Sequence, residues 1–160
     1  MKRPQPNQSN PRRGAVAVEF AVISPMLLAI VLGLVEVNRI YETQNLLEMG
    51  AREGARYASI NREGLNTNGL SGNQKITLDV LNFLEANGLP REGLTVEVKD
   101  HQSPGQDFDI DDPDNELRLF SVQVSVDYSD VSFTPVKVTD DFALGASVTF
   151  RNGPATHLSN

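Results

Sequence analysis

Glu19 is the residue whose chemistry most needs an explanation. It is the only charge in the run AVAVEFAVISPMLLAIVLGLV, residues 15–35, and two arginines and a glycine, Arg12, Arg13 and Gly14, stand directly before that run. An isolated carboxylate near lipid costs on the order of 3 kcal/mol even on insertion scales, so something should offset it. One reading is local: Glu19 lies close enough to the interface to be hydrated by snorkelling or trapped water. Another uses the glycine. If a peptidase cuts after Gly14, Ala15 acquires a free amine, and Glu19 becomes the fifth residue of the new chain. Within one helix the amine and the carboxylate then lie about one turn apart. Between helices staggered by a similar rise, the acid of one chain meets the amine of its neighbour, which makes Glu19 a register device.

The remaining candidates for chemistry are weaker. The acidic stretch DFDIDDPDNE, residues 107–116, alternates Asp107, Asp109 and Asp111 as hard oxygen ligands would. Asp112 stands where a calcium loop needs glycine, however, and Arg118 where it needs the closing glutamate, which favours a solvated acidic loop. Cysteine is absent and the two histidines, His101 and His157, are far apart in sequence, so neither a thiolate nor a histidine metal site is expected. Ser24 lies inside the apolar run with no base nearby. No phosphate loop, nucleophile elbow or paired catalytic carboxylate appears. The chain reads as no enzyme, with no cofactor, no metal and no small-molecule substrate.

Charge narrows the partners. The formal charge is −7, yet Lys2, Arg3, Arg12 and Arg13 precede Gly14 with no acid among them, so everything beyond Gly14 is more acidic than the total. An acidic body argues against nucleic acid. The mean hydropathy of −0.28 conceals the apolar run. As a helix, that run extends about 32 Å, enough to cross a hydrocarbon core of about 30 Å. The basic leader places the N-terminus in the cytoplasm and the body outside it.

The elements that must position these residues follow from period. Residues 1–13 hold three prolines and read as a disordered basic leader. The helical pattern continues past the apolar run through EVNRIYETQNLLEMGAREGARYAS, where Val37, Ile40 or Tyr41, Leu47, Ala51, Ala55 and Ala58 fall near one face. One helix of about 45 residues is therefore expected, with Pro25 tolerated inside it. Gly50, Ala51, Gly54 and Ala55 are small residues at four-residue spacing that let another backbone approach, either the chain's own head or another subunit. Arg52 and Arg56 can pair with Glu48 and Glu53. Residues 61–74 read as a loop, and a second helix spans Lys75–Asn87, its Ile76, Val80, Phe83 and Leu84 on one side and NGLP at its end. The period then changes to two in residues 94–98, 120–128 and 144–150, which predicts three half-buried strands.

The fold class expected is α+β: a long N-terminal transmembrane helix continuing as a stalk, and a second helix packed on a small antiparallel sheet of about three strands. The division expected is a basic leader at 1–14, a transmembrane helix at 15–36, an extracytoplasmic helical stalk at 37–60 and a small head at 61–160.

RRG before AVAVE, with the apolar run after it, resembles the class III signal of type IV pilins and pseudopilins. Residues 14–59 are similar over their length to TadE-like proteins, the minor pilins or pseudopilins of the tight-adherence, Flp-type pilus system. VDYSDVSFTPV, leading to Thr134 and Pro135, and the closing ASVTF also fit that family. The resemblance implies processing at Gly14 and Ala15, with Glu19 and Phe20 in assembly and register. It also implies as partners a prepilin peptidase, other pilins or pseudopilins, the inner-membrane assembly machinery and membrane lipid. Localisation would be the cytoplasmic membrane, single-pass, and the resemblance leaves open whether the chain enters the adhesive fibre. Short major pilins carry tyrosine after the glutamate, so Phe20 and the added head point to a minor component. The rival reading is an uncleaved single-pass anchor presenting a periplasmic binding or interaction domain.

Overall fold

The computed structural model describes residues 11–60, 69–133 and 142–153. The rest of the expected leader, most of the expected loop after residue 60, Thr134, Pro135 and His157 lie outside the described residues. Chain contacts divide into two compact units, residues 1–37 and 38–160.

Helix α1 runs Pro11–Ser59, 49 residues, with Pro25 inside it. It starts earlier than the apolar run suggests. Proline is favoured in a first helical turn, because its missing N–H would have had no partner there and its φ is already helical. The helix therefore includes Arg12 and Arg13, which were expected in a disordered leader. In the first unit the apolar side chains from Val16 to Val35 lie on the surface, and no residue of the most apolar window is buried within the structure. Such a helix, apolar on all sides and uncovered by protein, is long and apolar enough to cross a membrane and has the form of a single-pass anchor.

The second unit is an α+β fold. Its helices are residues 38–59 of α1 and α2, Gly72–Ala86. The strands are β1, Thr95–Asp100, β2, Leu119–Asp127, and β3, Ala143–Arg151, and they form an antiparallel sheet in the order β1-β2-β3. A 3-10 turn at Pro113–Asn115 precedes β2, and a single helical turn, α3, Tyr128–Val131, follows it. The long helix, the second helix and the three strands are the elements expected. The boundaries of α2 and the strands shift by one to three residues, and two of the shifts have a local cause. Helix α2 begins three residues early because Ser71 and Gln74 form a capping box: the Ser71 hydroxyl accepts from the Gln74 N–H, and the Gln74 side chain accepts from the Ser71 N–H at 3.0 Å. Tyr128, expected to end the strand, instead opens α3, with its ring still buried.

Register explains the core. Val98 pairs with Val122 and Val122 with Val148, so residues two apart share a face. Phe120, Val122, Val124 and Val126 are all buried, whereas Gln123 and Ser125 on the other face are only partly covered. The apolar face meets Leu47, Ala51, Ala55 and Ala58 of α1 and Ile76, Val80 and Leu84 of α2 in one core. Helix α2 ends as its NGLP signal predicts. Gly88 takes φ +89°, its N–H donates to Glu85 O at 3.0 Å, and the Leu89 N–H returns to Leu84 O at 3.1 Å.

The two sheet edges differ. The Phe108 N–H donates to Val98 O at 2.9 Å and the Asp100 N–H to Gln106 O at 3.0 Å, so the returning chain covers part of the outer edge of β1. Strand β3 ends on the C-terminus of α1, where the Gly153 N–H donates to Ala58 O at 3.0 Å. A Cβ at residue 153 would lie 2.8 Å from Ile60 O, so only glycine allows that approach.

Candidate functional site

The residues expected to carry processing and register, Gly14, Ala15, Glu19 and Phe20, all lie on α1 and are all exposed. Four residues of helical rise separate Ala15 from Glu19, about 6 Å, and place both on one face. Among the described residues no cation is paired with Glu19 within the chain. A Cβ built on Gly14 meets nothing within 4 Å, so the backbone there is open to approach. Glycine also weakens a helix by about 1 kcal/mol relative to alanine, which eases local unwinding there.

The small-residue stripe has a definite place. Gly50 and Gly54 are buried with Ala51 and Ala55 on the face of α1 that meets α2. A Cβ on Gly54 would stand 2.7 Å from Val80 Cγ2 and 3.0 Å from Ile76 Cγ2; one on Gly50 would stand 3.1 Å from Leu84 Cδ2. The stripe therefore lets α2 approach α1 within one chain. Of the two readings open from sequence, packing against the chain's own head accounts for these contacts. On the opposite face Arg52 Nη2 lies 2.5 Å from Glu48 Oε1 and Arg56 Nη2 lies 2.6 Å from Glu53 Oε1, the pairs anticipated from spacing. Both are exposed and contribute little to stability.

The acidic loop keeps Asp107, Asp109, Asp111 and Asp114 at the surface, as expected, but Phe108 and Ile110 between them are buried. Its carboxylates are spent on backbone. Asp111 Oδ2 accepts from the Gly72 N–H at the start of α2 at 2.5 Å, where a negative charge also suits the helix dipole. Asp112 accepts from the Asp114 N–H and Asp109 from the Asp111 N–H, both at 3.0 Å. Asp107 pairs with Lys99 at 2.7 Å, and that hydrogen bond holds the Lys99 ammonium above its ordinary pKa. Among the described residues no group of three or more acidic or histidine side chains is placed to hold a metal ion.

Two asparagines that sequence reasoning passed over fix this loop. The Asn73 amide donates to Phe108 O at 2.7 Å and accepts from the Ile110 N–H at 3.2 Å, so it mimics a strand partner. Buried Asn152 donates to Ile110 O and Asn115 O, both at 3.1 Å. The capping box beside Asn73 was the available signal for the first. Nothing local marks the second, since its partners lie about forty residues away in sequence.

Residues 14–56 match the model of the TadE-like protein family. That is the family the residue pattern resembles, and the matched segment contains Gly14, Ala15, Glu19, Phe20 and the small-residue stripe. The match associates the chain with the tight-adherence pilus system and its assembly machinery in general. The comparisons with curated proteins and with solved structures each found no match.

Proposed function

We propose that this chain is a prepilin-like minor pilin or pseudopilin of a tight-adherence, Flp-type pilus. It inserts with its basic N-terminus in the cytoplasm and its head outside, and a prepilin peptidase cuts between Gly14 and Ala15. It then joins other pilins or pseudopilins through its apolar helix. It acts by assembly and has no catalytic role.

The observation that carries this reading is Glu19, exposed on an apolar helix one turn beyond Gly14 and Ala15, within the family-matched segment. At an effective dielectric of about 20, a carboxylate and an amine about 4 Å apart attract by about 4 kcal/mol. That is comparable with the insertion cost of the acid. A neighbouring helix offset by about 6 Å brings its Ala15 amine level with Glu19. Chains in that register satisfy both charges, and chains out of register leave both facing lipid.

The test is Glu19→Ala in cells carrying the pilus system. Normal membrane insertion with loss of the protein from assembled fibres, or loss of fibres, supports the reading. Unchanged assembly overturns it and leaves an uncleaved anchor presenting its head.

A further inference from the structure

Among the described residues of the second unit, the aromatic rings range from buried to exposed, with Tyr57, Phe83 and Phe150 half-buried against the core. Phe108, Phe120 and Tyr128 are buried in the core, whereas Tyr41, Phe133 and Phe142 are 64%, 69% and 47% exposed. Three exposed rings on a small acidic body call for a partner if they lie together.

They belong to one end of the unit. Arg39 Nε donates to Val131 O at 3.3 Å, which ties α1 two residues before Tyr41 to the last residue of α3, two residues before Phe133. The Phe142 ring stacks on Tyr128, the first residue of α3, with centroids 4.8 Å apart, and Phe142 O accepts from the Tyr128 N–H at 3.0 Å. Phe133 and Phe142 thus flank a single helical turn, and Tyr41 stands on the stretch of α1 that touches it, about 200° around the helix from Arg39.

Chain length says what that end can reach. Arg39 follows Val35, the last residue of the apolar run, by four residues, and four residues span no more than about 14 Å in any conformation. The chain itself therefore keeps Arg39 close to the rim of the hydrocarbon core, and the rings belong to the end of the unit that carries Arg39. Aromatic side chains are favoured at that depth, where headgroups and acyl chains meet.

We propose that Tyr41, Phe133 and Phe142 form an aromatic foot that rests in the interfacial layer of the membrane from which the chain emerges. This rests on the single-span reading of α1. The lipid it selects is zwitterionic. Glu42, Asp127 and Asp130 are exposed around the rings, and Arg39 is already engaged by Val131 O and by Glu42 at 3.6 Å. The foot holds by apolar contact, and an anionic surface repels it. Its consequence is orientation: a docked foot restricts the head before the chain leaves the bilayer for any assembly.

The chain contains no tryptophan, so a single introduced indole reports without background. The full-length protein in phosphatidylcholine nanodiscs, with and without bromine on the acyl chains, would carry one of four substitutions: Phe133→Trp, Phe142→Trp, Leu28→Trp within the apolar run, or Leu117→Trp. Leu117 is exposed at the other end of β2, beside Arg118, whose carbonyl accepts from the Asn152 N–H. The expected result is emission at shorter wavelength and at least roughly twofold quenching by brominated lipid for residues 133 and 142, with Leu117→Trp unquenched. Quenching of Leu28→Trp alone overturns the foot and leaves the span intact. An unquenched Leu28→Trp overturns the span and the foot together. Emission at shorter wavelength for 133 and 142 without quenching shows that protein covers the rings, and also overturns the proposal.

Discussion

Gly54→Ala tests whether the small-residue stripe serves the chain's own fold or a neighbouring subunit. Two effects oppose each other at this position. Alanine in a helix is favoured over glycine by about 1 kcal/mol. Against that, the new methyl would lie 2.7 Å from Val80 Cγ2 and 3.0 Å from Ile76 Cγ2, and both neighbours are β-branched side chains with little rotamer freedom. Overpacking of this kind costs about 1–3 kcal/mol, so the net expectation is destabilisation by about 1 kcal/mol. Gly50→Ala is the internal control. Its methyl would meet Leu84 Cδ2 at 3.1 Å and Cγ at 3.2 Å, a milder crowding that a shift of a few tenths of an ångström in one side chain relieves, so the helix gain should offset it and leave stability nearly unchanged. Thermal unfolding of the full-length protein in detergent, followed by near-ultraviolet circular dichroism, should show Gly54→Ala melting about 3–5 °C lower and Gly50→Ala within a degree or two of the parent. A Gly54→Ala protein as stable as the parent would refute the packing argument. If it also failed to assemble, the stripe would be an intersubunit surface.

Asn152→Ala removes the one side chain that donates to both Ile110 O and Asn115 O in a buried setting. We expect a loss of about 2 kcal/mol by denaturant unfolding, with faster amide exchange around residues 108–116 as the local signature. Asp107→Asn takes from Lys99 the partner that raises its pKa, so the Lys99 titration followed by NMR should move down towards the ordinary lysine value. Because the folded pKa is the raised one, the stability that the pair contributes is complete below the unfolded lysine pKa, about pH 10. It fades as pH climbs through the folded value, and the Asn variant, in which Glu97 still faces Lys99, should show less of that alkaline loss.

What could be read ahead of the structure depended on how local the cause was. The twenty or so apolar residues after Gly14 and the alternation from Phe120 to Val126 are statements about one segment and its own period, and both became the expected elements. The start of α2 was missed because GNQ reads as polar linker until Ser71 and Gln74 are taken together as a cap. The acidic loop was legible only in part, for a different reason. Its carboxylates answer to Gly72 and Lys99, and its apolar residues to a core assembled from distant segments, so no window around 107–116 reveals them. Gly54 was visible as a small residue, but choosing its neighbour required Val80 and Ile76 to be in place. For the N-terminal site, the spacing of Gly14, Ala15 and Glu19 is itself the signal, and the helix supplies the common face.

The account stands most directly on where the chain begins once it has matured. Intact mass and N-terminal sequencing of the membrane-bound protein, recovered from cells that make the prepilin peptidase, should give a chain starting at Ala15. A chain that keeps Met1 to Gly14 while fibres form normally would contradict it, because Glu19 would then have no new amine to meet.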